Sequence, residues 1–208
     1  MARFTFFTNP MSRGQIARWA LHEAGADYDT ELVDWENKSE QFLGHNPMGK
    51  VPTLVHHHGD HIHVVTEAAA ICHYLAETHP DAGLLPAEHE RADYFRYFFF
   101  AAGPVEQAVV ANAMGWEVPP DRVGMAGFGT YDRAMDSLDT MLSGRDYVCG
   151  DRFTMADVYV GSQVDWGLQF GSIPERQSFT DYAARLRSRE AYREAKAIDM
   201  KMIAEKHG

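Results

Sequence analysis

Cysteine is scarce in this chain: among 208 residues only Cys72 and Cys149 occur, far apart and in no CxxC pair. A secreted disulfide scaffold and a four-cysteine zinc site are thereby excluded. Basic charge is also short, with 19 Lys and Arg against 30 Asp and Glu and a formal net charge of −11. A general DNA- or RNA-binding face needs the opposite balance, and anionic membrane surfaces are disfavoured for the same reason. Long apolar runs are missing too, because Arg96 and Glu106 interrupt the richest aromatic region and leave nothing able to span a bilayer. Near the N-terminus the apolar stretch is broken by Thr5 and stopped by Asn9-Pro10, which is too short for a secretory core. A cytoplasmic protein is expected. What remains is an ordinary globular composition, 45% hydrophobic and 24% charged, at a length that suits one large domain or two small ones.

The first eighty residues mix two periodicities. Phe4 to Thr8 reads as a short strand ended by Asn9-Pro10, and Ile16, Ala17, Ala20, Leu21 and Ala24 recur at helical spacing from Ser12 onward. Gly25 sits where a helix C-cap glycine belongs. A second strand is expected over 28–35 and a short helix over 39–43. Two further strands flank the Gly59-Asp60 turn, and a helix runs from Thr66 to His79. The joining helix predicts a parallel first pair of strands, and the tight turn predicts an antiparallel last pair. Residues 80–88 then punctuate the chain with two prolines and a glycine. Beyond them only helical patterns recur, over 88–114 with a bend at Gly103-Pro104, then 121–142, 154–170, 178–186 and 189–206. The reading is a small α/β domain over 1–80 followed by an all-helical domain over 88–208.

Three places carry chemistry. At Lys50-Val51-Pro52-Thr53-Leu54, proline opens a strand, and an X-Pro bond tolerates the cis state. A cis bond would turn the Val51 main chain outward to pair with an extended peptide; a trans proline beginning an edge strand is the plainer alternative. At Thr66-Glu67, Thr66 suits a helix N-cap whose free N–H groups receive a carboxylate, while Glu67 meets a nearby ammonium. One spot thus fits an amino-acid-like zwitterion, although a capped helix with Glu67 complementing the dipole explains the same residues. Between the first strand and first helix, Ser12 is the nearest hydroxyl and Asn9 the nearest amide to a helix terminus able to lower a thiol's pKa. A plain N-cap role for Ser12 fits equally well.

Together these pieces resemble the glutathione S-transferase superfamily over essentially the whole chain. The most specific segments are Asn46-Pro47-Met48-Gly49-Lys50-Val51-Pro52-Thr53-Leu54, with Thr66-Glu67 fourteen residues beyond Pro52, and Gly150-Asp151-Arg152-Phe153-Thr154-Met155-Ala156-Asp157-Val158. In the latter, Thr154 and Asp157 match a capping box, with Phe153 and Val158 at staple positions, and both are assigned to folding. The resemblance implies a thioredoxin-like N-terminal domain and an all-α C-terminal domain. It also implies a cis Pro52, Val51 main chain on the cysteinyl backbone of glutathione, and Thr66 and Glu67 on the γ-glutamyl end. Lys50 and Lys38 would approach the glycyl carboxylate. The activity implied is conjugation of glutathione, as co-substrate, to a small hydrophobic electrophile by a homodimer, with no other cofactor. A glutathione-dependent disulfide or peroxide reductase and a non-catalytic ligand-binding protein are the alternatives. The chain departs from the family pattern where Met11 occupies the position of the thiol-activating residue, since a thioether donates no hydrogen bond. Ser12 is favoured for that role over Asn9.

Six aromatics crowd the seven positions from Tyr94 to Phe100, more than one helix face can bury. The family reading places Met11, Tyr97, Phe98 and Trp116, with Trp166 a weaker candidate, in the co-substrate pocket; ordinary packing competes at each aromatic. His56, His57, His58, His61 and His63 gather at the hairpin tip, and an exposed polar turn is favoured there over a metal site. Cys72 reads as buried packing.

Overall fold

A computed structural model describes residues 3–207 of the chain. By contact the chain separates into two units, one formed by residues up to Leu85 together with those from Ser188 onward, the other by Pro86–Arg187. The expected helical segment 88–208 follows chain order, whereas this division follows contacts, and the last helix clusters with the first unit.

The first unit is built on a four-stranded sheet of order β2-β1-β3-β4, with β1 at Phe4–Thr8, β2 at Tyr28–Leu32, β3 at Thr53–His58 and β4 at His61–Thr66. The pair β1 and β2 runs parallel, as a helical crossover requires, and β3 lies antiparallel to both β1 and β4. Helix α1 (Gly14–Ala24) ends at Gly25, whose φ of 62° takes the left-handed conformation that a side chain resists. Helices α2 (Glu40–His45) and α3 (Ala68–Thr78) complete the α/β part. Alternation along the strands divides the burial. Phe7 and Val55 face a cluster with Val33 and Phe42 of α2. Phe4, Phe6, Leu54 and His56 occupy the opposite face, where Arg18 of α1 lies 5.2 Å from the Phe6 ring and Tyr74 of α3 bonds His56.

Helix α9 (Glu190–His207) lies against α1 in this unit. Arg18 explains the attachment. Its guanidinium is 1% exposed and donates to Asp199 Oδ1 at 2.9 Å, to the Tyr28 hydroxyl at 3.1 Å and to Thr30 Oγ1 at 3.2 Å. A buried cation without such partners is strongly destabilising. Arg189 makes a two-armed bond to Glu23 of α1 at 2.6 and 2.7 Å beside it.

The second unit is helical: α4 (Arg91–Phe100), α5 (Glu106–Ala113), α6 (Tyr131–Leu142), α7 (Met155–Phe170) and α8 (Gln177–Arg187). The bend expected at Gly103-Pro104 is present as a π-turn over Ala101–Val105, which accommodates a proline that cannot donate to the ladder. Helix α6 starts at Tyr131, later than the expected residue 121, because Pro119, Pro120, Gly124, Gly127 and Gly129 deny the preceding segment a helix. At the start of α7 the capping box forms: the Asp157 carboxylate accepts from Thr154 N–H at 2.8 Å, from the Thr154 hydroxyl at 3.1 Å, from Val148 N–H at 2.7 Å and from the Tyr182 hydroxyl at 2.8 Å. No helix among the described residues is long and apolar enough to cross a membrane.

Candidate functional site

Strand register gathers the three sequence features at one end of the sheet. Phe7 stands opposite Thr53, and Thr53 opposite Thr66. The exit of β1, the entry of β3 and the exit of β4 therefore lie side by side, bringing Asn9 and Ser12, Val51 and Pro52, and Thr66 and Glu67 to the same edge of the first unit.

The Val51-Pro52 bond is cis. Val51 packs its side chain against the Phe7, Val33, Phe42 and Val55 cluster, which fixes the residue from below. Its main-chain N–H and C=O make no hydrogen bond among the described residues, so both remain available to an extended ligand. The loop that presents it is held by Asn46, which sequence reading treated only as a turn residue. Its buried amide donates to the Lys50 carbonyl at 2.8 Å and to Thr53 Oγ1 at 3.0 Å, and its Oδ1 accepts from Met48 N–H at 3.1 Å. The lead was a turn asparagine within bonding reach of the strand it precedes. Lys38 is drawn to this loop, its Nζ 3.2 Å from the point a Cβ on Gly49 would occupy. Lys50 is exposed beside it.

At the exit of β4 the helix cap differs from expectation. Thr66 is the last strand residue, and Glu67 is the N-cap of α3, with no side chain bonded to the helix's first N–H groups. Those groups lack intrahelical acceptors by construction and carry partial positive charge. Glu67 adopts φ 66° and ψ 124°, the only positive φ at a non-glycine among the described residues. Such a conformation costs on the order of 1–3 kcal/mol and persists only where the surroundings impose it. Its exposed carboxylate has no partner among the described residues. An uncapped terminus and an open carboxylate side by side match the two charges of a zwitterion.

The loop between β1 and α1 is tied more tightly. The N-cap of α1 is Arg13 rather than Ser12; from the position before it, Ser12 Oγ donates to the Asn9 carbonyl at 2.6 Å and accepts from Gly14 N–H at 3.0 Å. Asn9, 4% exposed, donates to the Val33 carbonyl at 3.1 Å and accepts from Met11 N–H at 3.0 Å. The main-chain N–H of Ser12 has no partner among the described residues. Helix α1 begins at a glycine because a Cβ on Gly14 would lie 1.9 Å from Thr8 Oγ1. Met11 projects outward, 60% exposed, at the position where the sequence lacks a donor.

The aromatic candidates Tyr97, Phe98 and Trp116 belong to the second unit. Tyr97 and Phe98 are buried core residues rather than open walls: the Tyr97 hydroxyl donates to the Met141 carbonyl at 2.9 Å, and Phe98 stacks on Tyr159 with centroids 5.3 Å apart. Burial holds the Tyr97 hydroxyl above its usual range. Phe95 and Phe99 are the exposed members of the run, and Trp116 is exposed as well. Cys72 is fully buried, and desolvation raises its thiol pKa, which leaves it inert. The hairpin histidines divide by face. His56, His58, His61 and His63 share one, where burial and the charge of Arg3 lower the His56 pKa to about 4; His57 meets Thr5 Oγ1 on the other at 2.9 Å. Among the described residues no three His, Cys, Asp or Glu side chains are placed to hold a metal ion.

Comparison with known proteins agrees with the fold. The glutathione S-transferase N-terminal domain model matches residues 11–78, and the C-terminal domain model matches 105–190. Glutathione S-transferase 1 of Schizosaccharomyces pombe is 30% identical over 182 residues, spanning 80% of this chain and 75% of that protein. A sphingomonad glutathione S-transferase complexed with glutathione superposes with a TM-score of 0.73 at 28% identity, over 94% of this chain and 98% of that one. A glutathione transferase from Methylococcus capsulatus gives a TM-score of 0.76 at 26% identity with the same coverage. With both halves matched in order, and a curated relative aligned across most of its length, the chain belongs to the glutathione S-transferase superfamily.

Proposed function

We propose that this protein binds glutathione along the strand ends of the first unit and conjugates it to a hydrophobic electrophile. The observation that carries the reading is the unpaired Val51 main chain beside cis Pro52, at the same sheet end as the open Glu67 carboxylate. Val51 N–H donates to the cysteinyl carbonyl, and Val51 C=O accepts from the cysteinyl N–H. Glu67 accepts from the γ-glutamyl ammonium, while Thr66 and the first N–H groups of α3 meet that residue's carboxylate. Lys38 and Lys50 face the glycyl carboxylate.

This pose aims the sulfur at α1. A free thiol has a pKa of about 8.5, and a fall of about two would make it mostly thiolate at pH 7. Ser12 meets it with its unpaired N–H and, once the bond to the Asn9 carbonyl is exchanged, with its hydroxyl; Asn9 holds the loop. The thiolate attacks an electrophilic carbon, forms the C–S bond and expels a leaving group with its electron pair. Met11 offers exposed apolar contact to the second substrate, and assembly is as a homodimer.

A second reading has one observation behind it. The Ser12 hydroxyl already donates to Asn9, so a protein that only sequesters apolar ligands remains an alternative. Calorimetric titration with glutathione, followed by turnover of chlorodinitrobenzene, a hydroxyethyl disulfide and a hydroperoxide, separates these readings from a reductase. We expect binding and conjugation, with Ser12→Ala lowering kcat roughly tenfold and leaving the glutathione KM within about twofold, as for a donor engaged mainly in the transition state. Absence of any binding heat sinks the proposal; binding without turnover of any of the three favours sequestration.

A further inference from the structure

The loop carrying Ser12 has one more tie, and it reaches the end of the chain. Gln15 Nε2, from the first turn of α1, donates to the Pro10 carbonyl at 2.5 Å, and Gln15 Oε1 accepts from Lys196 Nζ of α9 at 2.7 Å. The two partners fix the amide's orientation: a carbonyl only accepts and an ammonium only donates, so the reverse placement would lose both bonds. Lys196 is itself steadied over the Tyr192 ring at 5.6 Å, and Tyr192 packs edge-on against Trp19 of α1. Both side chains are half-buried, where a charge-assisted bond is worth more than at a free surface.

We propose that Lys196 and Gln15 are positioning residues that hold the Pro10 carbonyl, and with it the Asn9–Ser12 loop, at the height the glutathione sulfur needs. The last helix thus acts on thiol activation without touching the tripeptide. This rests on the glutathione reading above. Pro10 lies between Asn9, anchored to Val33, and Met11, anchored to Asn9; the main chain of α1 meets the loop at Ser12, and the Pro10 carbonyl is where the Gln15 side chain of α1 takes hold of it.

The test uses the full chain. Gln15→Glu keeps an acceptor for Lys196 but opposes a carboxylate to the Pro10 carbonyl, so it opens the relay while retaining the helix contact. Lys196→Met removes the ammonium, and Lys196→Arg restores a donor. Arg189→Ala loosens α9 at Glu23, whose carboxylate also accepts from Trp19, while leaving the Gln15 and Lys196 bonds themselves in place. We expect Gln15→Glu and Lys196→Met to lower kcat roughly three- to tenfold, part of the ~10²-fold that a 1 Å misplacement costs. The glutathione KM should stay within about twofold, and the pH profile of kcat/KM should move to higher pH. Lys196→Arg recovers most of the loss, and Arg189→Ala keeps wild-type turnover. Unchanged kcat and profile in Gln15→Glu, or an equal loss in Arg189→Ala, overturns the relay while the wild type still conjugates. A wild type that binds no glutathione defeats the underlying reading instead.

Discussion

Helix α7 begins with a closed capping box, whereas helix α3 begins with none of its first N–H groups met by a side chain. At α7 the Asp157 carboxylate gathers two main-chain N–H groups and two hydroxyls in a fully buried setting. At α3 the cap is an exposed glutamate in a left-handed conformation, its carboxylate open. The chemistry available at the two termini is alike, but one is closed by the chain and the other is left for something else. A satisfied helix start reports folding. An unsatisfied one, strained and at the end of a sheet beside unpaired main chain, is the pattern on which the proposed glutathione site rests.

The sharpest way to break this contrast is at the closed end. Asp157→Ala strands buried donors, each costing ~1–3 kcal/mol, and should destabilise the protein by about 3–5 kcal/mol in urea unfolding. A loss below about 1 kcal/mol would mean that the network is ornamental. The next largest effect separates the units by pH. Burial pushes the Asp157 pKa up to about 6 against four hydrogen bonds that pull it down, so the folded state holds that proton more tightly than the unfolded chain. Its contribution is present below the unfolded value of about 4 and is lost as pH rises through about 6, up to about 3 kcal/mol. His56 works the other way. Its pKa is lowered to about 4, so stability is present above about 6.5 and lost as pH falls through 4. Urea midpoints measured across this range should show the falling component flattened in Asp157→Asn and the rising component flattened in His56→Gln. Slopes equal to wild type in both would refute the assignment. At the open end, Glu67→Gly should relieve the left-handed backbone and add about 1 kcal/mol of stability while weakening glutathione binding roughly tenfold by calorimetry. Retained affinity would remove Glu67 from the site.

The α7 terminus was legible because a capping box is written in two side chains at a fixed spacing, Thr154 and Asp157. The order of strands and helices was legible from period and punctuation, and the cis Pro52 from family resemblance. The cap of α3 was not: nothing in a glutamate announces a positive φ, and Thr66 had the better local credentials. The family reading places Tyr97 and Phe98 in the pocket, and six aromatics in seven positions conceal the helix's phase; packing buries those two and leaves Phe95 and Phe99 outside. Asn46 was visible only as turn punctuation, since its bond to the Lys50 carbonyl depends on how the loop closes. The Gln15 bridge depends on a residue 181 positions away, which no local window contains.

The clasp of Arg18 on Asp199 also sets a timetable during synthesis. When the ribosome has released the sheet and α1, the guanidinium destined for the interior still awaits an anion 181 residues further along the chain. The helical stretch from Pro86 to Arg187 is contiguous and can settle as it emerges. The glutathione-family half, though translated first, is therefore the last to be finished.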